Sequence, residues 1–471
     1  MDRATFKKQL DAYFEENREA LLEDICTLVR IRSDREPALP GKPYGEGPAA
    51  CLAVAMEMAE GHGFKTRNYE NYVGTVDLND GPKQLDILAH LDVVPVGDDW
   101  KVTGPFEPLV KDGKIYGRGT ADDKGPAVAA LYAMKAVRDL GVPLTKNVRL
   151  ILGCDEECGS SDIAYYYKQE EEAPMTFSPD ADYPVINIEK GGVVGDLSAF
   201  WEQEDCLPRV LGAKIGLKVN VVPDKAAAQV LGFTAEQLAP YLEDAAKATG
   251  TVYTLVEEAD GVITIQCQGE AAHGSTPEKG NNALTALVHL LATLPCDGKA
   301  IEAIRGLAKS FPHGDGCGKA IGIDLEDDIS GKLSCSLDLL TITSTGLQAY
   351  FDCRAPLCAN KDNVVKVAIA NLAKNGITMK DAEMRHPHHV SGDSEFVKTL
   401  LRDYEEYTGE KGFCKAIGGG TYVHHLKNGV AFGCAVEGVN NRMHADDEFM
   451  ELETLFMSAK LFAQVIADLC A

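Results

Sequence analysis

Three short apolar runs, QLDILAH (84–90), NVRLILGC (147–154) and YPVINIEKG (183–191), are bounded by turn residues and have almost no polar face. Segments of that kind read as strands buried on both sides, which requires a sheet covered by helices. The helices are present in the pattern. Residues 4 to 30 and PAVAALYAMKAVRDLG (126–141) carry helical periodicity, and Gly141 is a stop signal for the second. The first part of the chain is therefore expected to be an α/β domain.

Past Gly191 the texture changes. AKIGLKVNVVP, GVITIQCQG and SCSLDLLTITSTGLQAYFDCRAP alternate with period two, as antiparallel strands with one exposed face do. Helical stretches, TAEQLAPYLEDAAKATG and NALTALVHLLATL, lie between them. After RHPHHVSGD the first texture returns with SEFVKTLLRDYEEYTG, NGVAFGCAV and the closing helix ELETLFMSAKLFAQVIADL. The expected architecture is an α/β catalytic domain with a mixed central sheet, residues 1–190 and 388–471, interrupted by an inserted α+β domain, residues 191–387. A chain of 471 residues is long enough for two cores.

The formal net charge of −26 argues against nucleic acid or an anionic membrane as a partner. The N-terminal stretch has acidic residues throughout and places Phe6, Leu10, Tyr13 and Phe14 at helical spacing, so it reads as a helix and not a signal peptide. The 14 cysteines are scattered, without a CxxC pair, and are expected to be reduced thiols of a cytoplasmic protein.

The chemistry sits at the strand ends. His90 and Asp92 close the first run, in ILAHLDVVPVGDDW. GRGTADDKGP contributes Asp122 and Asp123, GCDEECGSSD contributes Asp155, Glu156 and Glu157, and FSPDADYP contributes Asp180 and Asp182. NNRMHADDEFM adds His444 in the returning part of the chain. Any one acidic loop is ordinary solvated surface. Several of them, all beside apolar strands, would crowd carboxylates that cannot stay ionised together unless something positive joins them. Two divalent cations answer that need, and histidine with carboxylate suits zinc or manganese.

Taken in order, HLDVVPVGDDW, GRGTADDKGP, DEECGSSD, PDADYP, AAHGSTPE and MHADDEFM resemble the PepV-type dipeptidases over essentially the whole chain. These belong to the co-catalytic di-zinc metallopeptidase family that includes aminoacylase, acetylornithine deacetylase and succinyl-diaminopimelate desuccinylase. The resemblance implies a metal-dependent dipeptidase with two divalent ions, zinc the first choice and manganese or cobalt the alternatives. His90 and Asp180 would bind one ion, Glu157 and His444 the other, and Asp122 would bridge both. Glu156 would be the general base for the attacking water, and the Asp92 carboxylate would orient His90. Adjacent Glu156 and Glu157 at a strand end would point to opposite sides.

The inserted domain would be the family's lid. His273 would donate to the developing oxyanion, and Asn220 and Arg354 would help hold the substrate, Arg354 through its C-terminal carboxylate. Gly418, Gly419, Gly420 and Thr421 of IGGGTY would present backbone N–H groups to the same carboxylate at a helix start. For Arg354 a purely structural ion pair is the competing reading. The loop departs from the family after the tyrosine, where TYVHH places His424 and His425. Cys154 and Cys158, around the two glutamates, read as packing at the strand end, and HPHH (386–389) reads as surface. The expected partner is a small peptide, and the expected state is a monomer, with a homodimer the alternative. An N-acyl amino acid deacylase would share every metal residue. A catalytically silent binding protein would have no use for Glu156.

Overall fold

The computed structural model describes residues 2–471 and divides the chain into two compact units. The first holds residues up to Ile188, His389–Lys415 and Gly420–Ala471; the second holds Glu189–His388 and Ala416–Gly419.

In the first unit the apolar runs form a mixed sheet. Asn147–Gly153, Lys83–His90 and Met175–Ser178 lie side by side and parallel, and Gly429–Ala431 continues the parallel set. Val73–Asp77 and Lys65–Tyr69 extend it antiparallel on one side, and Val185–Glu189 pairs antiparallel on the other. Leu85, Ile87, Leu88 and Ala89 are wholly buried, as a strand covered on both faces requires. The helices Lys124–Asp139 and Leu452–Cys470 pack on each other and on Lys83–His90, within one large apolar core.

In the second unit eight strands form an antiparallel sheet, running from the edge strand Val252–Glu257 to Thr378–Met379. Strand Lys225–Leu231 buries Ala226, Ala228 and Val230 on one face and exposes Lys225 and Gln229, so only that face is covered by apolar packing. Helices Ala235–Thr249, Ala283–Thr293, Lys299–Ser310 and Val365–Lys374 contribute to a second, separate core. The architecture is α/β with an inserted α+β unit.

Some local expectations are corrected. Residues 4–30 form two helices, Arg3–Glu16 and Arg18–Val29, because Asn17 leaves the helical conformation and its side chain donates to the Tyr13 carbonyl. AKIGLKVNVVP is not one strand. It breaks after Ile215, where Gly216 takes φ +82, a left-handed conformation suited to glycine, and resumes only at Val221–Val222. Ala416–Gly419 belongs with the second unit although 388–471 was expected to stay whole, since Lys190 N–H donates to the Ile417 carbonyl and Arg354 to that of Gly418. Among the described residues no helix is long and apolar enough to cross a membrane, and all 14 cysteines are free.

Candidate metal centre

The parallel strands deliver their acids to one edge of the sheet. His90 is the last residue of its strand and stands in register with Gly153, after which Cys154–Glu157 turns away from the sheet. Ile87 is in register with Phe177 of the next strand, and Asp180 follows shortly after that strand ends. Ligand sites of α/β sheets collect at such carboxyl ends. Asp122 comes from the loop before the helix Lys124–Asp139, and the Asp122–Asp123 peptide is cis. His444 comes from the loop before Phe449–Glu451, which is anchored by pairing with Lys114–Tyr116.

The two carboxylate oxygens of Asp122 face different histidines. Oδ1 lies 2.9 Å from His90 Nε2, and Oδ2 lies 2.9 Å from His444 Nε2. Asp180 Oδ2 is 3.5 Å from the first imidazole and Glu157 Oε1 is 3.1 Å from the second. Two triads result, His90–Asp122–Asp180 and Asp122–Glu157–His444, each with its ligand atoms within 4.8 Å of one another.

The residues fit a pair of cations. His90 Nε2 and Glu157 Oε1 are buried without a well-aligned hydrogen bond, and only the close approach of opposite charges meets them. Burial raises the Asp180 carboxyl to about 6, with the Asp122 charge adding to it. Burial would raise Asp122 too, but His444 and then His90 outweigh it and hold this carboxyl below its usual range. His444 is pushed up to about 10 by Asp122 and Glu157. Burial works to lower His90, yet Asp122, Asp180 and Asp92 together lift it well above its ordinary value. The cluster thus draws positive charge onto both imidazoles, the demand that two divalent ions would meet. The donor set, imidazole nitrogen with carboxylate oxygen, suits zinc and its neighbours.

Around the triads, buried carboxylates hold the backbone. Asp92 meets His90 Nδ1 twice: its carbonyl lies at 2.9 Å and its carboxylate Oδ1 at 3.4 Å. That carboxylate also accepts from Glu156 N–H at 3.2 Å and Glu157 N–H at 3.1 Å. Those donations place the two glutamates on a tight turn, Glu156–Cys158, and not on a strand, so strand alternation does not set their directions.

Of two further supporting carboxylates, Glu448 escaped the sequence reading and Asp123 was named there without a role. Glu448 is fully buried; its Oε1 accepts from the N–H groups of Gly119, Ala121 and Asp122, at 3.0, 2.9 and 3.2 Å, while Oε2 takes Arg118 Nη1 at 2.6 Å. It fixes the loop that carries Asp122, and its only sequence signal is a place in the acidic run after His444. Glu448→Gln should weaken metal affinity about 10–100-fold, the usual cost of an outer-shell change, as a competitive chelator titration would measure. Asp123 accepts from His90 N–H at 3.1 Å, and burial, then the Asp180 charge, pushes its carboxyl well above the usual range.

The second unit gathers other candidates. Val221 and His273 are paired across a two-stranded ribbon, and Asn220 accepts from Gly274 N–H at 2.7 Å. His273 Nδ1 accepts from Ser275 N–H at 3.1 Å. Arg354 donates to Asp352 at 2.7 Å and to the Gly418 carbonyl at 2.8 Å. Gly420 and Thr421 belong to the first unit, and the glycine loop leads into a single short turn, Tyr422–His425, with Thr421 Oγ1 accepting from Val423 N–H; the expected helix start is one turn long. His424 is buried edge-on against the exposed His425. Cys154 lies in the core, whereas Cys158 is exposed and does not pack at the strand end. His386 and His389 are exposed, and the HPHH run joins neither triad.

Comparison with known proteins places the chain in a family. The model of "Peptidase family M20/M25/M40" matches residues 87–468. The chain is 36% identical over 458 residues to "Putative dipeptidase YtjP" of Bacillus subtilis (strain 168), covering 96% of this chain and 97% of the relative. It is 34% identical over 468 residues to "Beta-Ala-Xaa dipeptidase" of Lactobacillus delbrueckii subsp. lactis, covering 97% of each. Human carnosine dipeptidase 1 shares the fold, with a TM-score of 0.61, 15% identity and 98% of each chain covered. The chain is a member of peptidase family M20/M25/M40.

Proposed function

We propose that this protein is a metal-dependent dipeptidase that hydrolyses short, unblocked peptides. The observation that carries the reading is the pair of triads sharing Asp122, with Glu156 adjacent in a chain whose relatives are named dipeptidases. His90, Asp122 and Asp180 would hold one ion and Asp122, Glu157 and His444 the other. Two divalent ions there, zinc first and manganese or cobalt next, would polarise the peptide carbonyl and acidify water.

The chain's own groups supply the rest. Glu156 belongs to neither triad, so its carboxylate is available to take the proton of the attacking water and return it to the leaving amine. His273 is suited to the oxyanion. Its Nδ1 already accepts a hydrogen bond, so the proton of the neutral ring sits on Nε2, and burial with the nearby Arg354 charge lowers its pKa. Asn220 and Arg354 would help hold the substrate, Arg354 and the backbone of Gly418, Gly419, Gly420 and Thr421 at its C-terminal carboxylate, and closure over that end would limit substrate length. The ion pair with Asp352 pre-orients the Arg354 fork for that task. In this reading residues 191–387 serve as the lid, and the protein works as a cytoplasmic monomer.

His273→Ala should lower kcat about 10²–10³-fold, the cost of one oxyanion donor, with a smaller change in KM. Unchanged kcat in steady-state hydrolysis would remove the assignment. The reading as a whole is tested by offering Ala-Leu and N-acetyl-leucine to chelated protein and after metal add-back. Metal-restored cleavage of Ala-Leu alone supports it. Cleavage of the acetylated substrate alone makes the protein a deacylase, and inertness of folded, metal-loaded protein toward both overturns the catalytic reading.

A further inference from the structure

The turn that bears Glu156 is held by two buried aspartates. Cys154 and Asp155 donate their backbone N–H groups to Asp162 Oδ2, at 2.6 and 3.0 Å, and Glu156 and Glu157 donate theirs to the two oxygens of Asp92, at 3.2 and 3.1 Å. Every amide from Cys154, the first residue after the strand, to the metal-facing Glu157 therefore ends on a buried carboxylate. Asp92 is explained by its place beside His90. Asp162 is not, since it touches no residue of either triad.

Asp162 is wholly buried, a costly place for a carboxylate that only closed a turn. Its Oδ2 has a third donor, the hydroxyl of Tyr422, at 2.5 Å. Tyr422 follows directly on the glycine loop, is 2% exposed, and sets its ring edge-on to the His90 imidazole, with centroids 6.2 Å apart. The arrangement requires a residue without a side chain at position 153. A Cβ there would sit 2.0 Å from the Tyr422 hydroxyl and 2.6 Å from Asp162 Oδ2. Gly153 is also the residue in register with His90. Strand end, imidazole, tyrosine and carboxylate are thus packed as one block behind the turn.

We propose that Asp162 and Tyr422 are positioning residues for Glu156: Asp162 clamps the start of the turn through its amides, and the Tyr422 hydroxyl fixes the orientation of Asp162. The inference rests on Glu156 as the general base of the proposed reaction. A base must stay within hydrogen-bond reach of the proton it takes, and a backbone held at both ends keeps it there. Asp162 holds only the amides of Cys154 and Asp155, ahead of both glutamates, while the amide of the ligand Glu157 keeps its own bond to Asp92, so the expected effect falls on turnover before metal binding.

Tyr422→Phe removes one hydroxyl and keeps the ring against His90. It should lower kcat about 10-fold, the value of one hydrogen bond to a charged group, with KM and metal content unchanged. In a Glu156→Gln background the same substitution should leave the residual rate unaltered, because residues acting through one another are not additive. An equal fold loss in both backgrounds overturns the proposal, and so does an unchanged kcat in Tyr422→Phe alone. Asp162→Asn provides a second variant with the same expected pattern. Loss of metal from both variants in place of lost turnover would assign the block to metal retention and overturn the proposal.

Amide hydrogen exchange reads the clamp without any substrate, so it separates this inference from the dipeptidase reading. In Tyr422→Phe the amides of Cys154–Glu157 should exchange about 10-fold faster while those of the strand Asn147–Gly153 do not change. Unchanged exchange across Cys154–Glu157 means that no clamp exists.

Discussion

Glu156→Gln should lower kcat on an unblocked dipeptide by roughly 10²–10⁴-fold, the range for a lost general acid–base group, while two metal equivalents per chain stay bound. The substitution is close to isosteric, and the Glu156 backbone keeps its hydrogen bond to Asp92. Neither triad includes Glu156, so nothing in the ligand sets changes. KM should change far less than kcat, because the proton transfer is made only in the transition state. Metal content by mass spectrometry beside steady-state kinetics separates the two effects. Full turnover in a metal-loaded Glu156→Gln protein would assign the proton transfer elsewhere.

Asp122→Asn should be more damaging and should fail differently. Asp122 is the one residue common to both triads, with an oxygen 2.9 Å from each imidazole. An amide keeps one oxygen and turns an NH₂ group toward the other site, where it cannot act as a ligand. At least one ion should be lost on desalting, with activity falling at least as far as for Glu156→Gln, roughly 10²–10⁴-fold or more. By contrast, Asp180→Asn touches only the triad of His90, so its second site should still fill. Retention of both ions by Asp122→Asn would refute the bridging geometry.

How much of this was legible in the sequence follows from how far each interaction reaches. The ligand types were readable because each stands at the end of an apolar run or in a glycine-rich loop, where local pattern and chemistry coincide; His90 and Asp180 are of this kind. The supports were not. Glu448 reaches Gly119 across 329 residues and Tyr422 reaches Asp162 across 260, and no local periodicity encodes such pairs. The further contacts of Asp92 are hidden for a related reason. Sequence shows a carboxylate two residues from a histidine, but not that the Asp92 carbonyl also meets the ring or that the carboxylate accepts from the amides of Glu156 and Glu157. The same limit applies to the fold. Texture separated an α/β part from an antiparallel part, yet the hydrogen bonds that tie Ala416–Gly419 to the second unit come from Lys190 and Arg354, far away in the chain.

A single two-ion centre that cleaves unblocked dipeptides is best tested by metal titration. Chelated protein would be titrated with zinc, and separately with manganese, while Ala-Leu hydrolysis and bound metal are followed together. The account predicts negligible hydrolysis without metal and activity that rises to a plateau at two ions per chain. Hydrolysis that proceeds undiminished in the chelated protein, or a fully loaded protein that never turns over Ala-Leu, would contradict it.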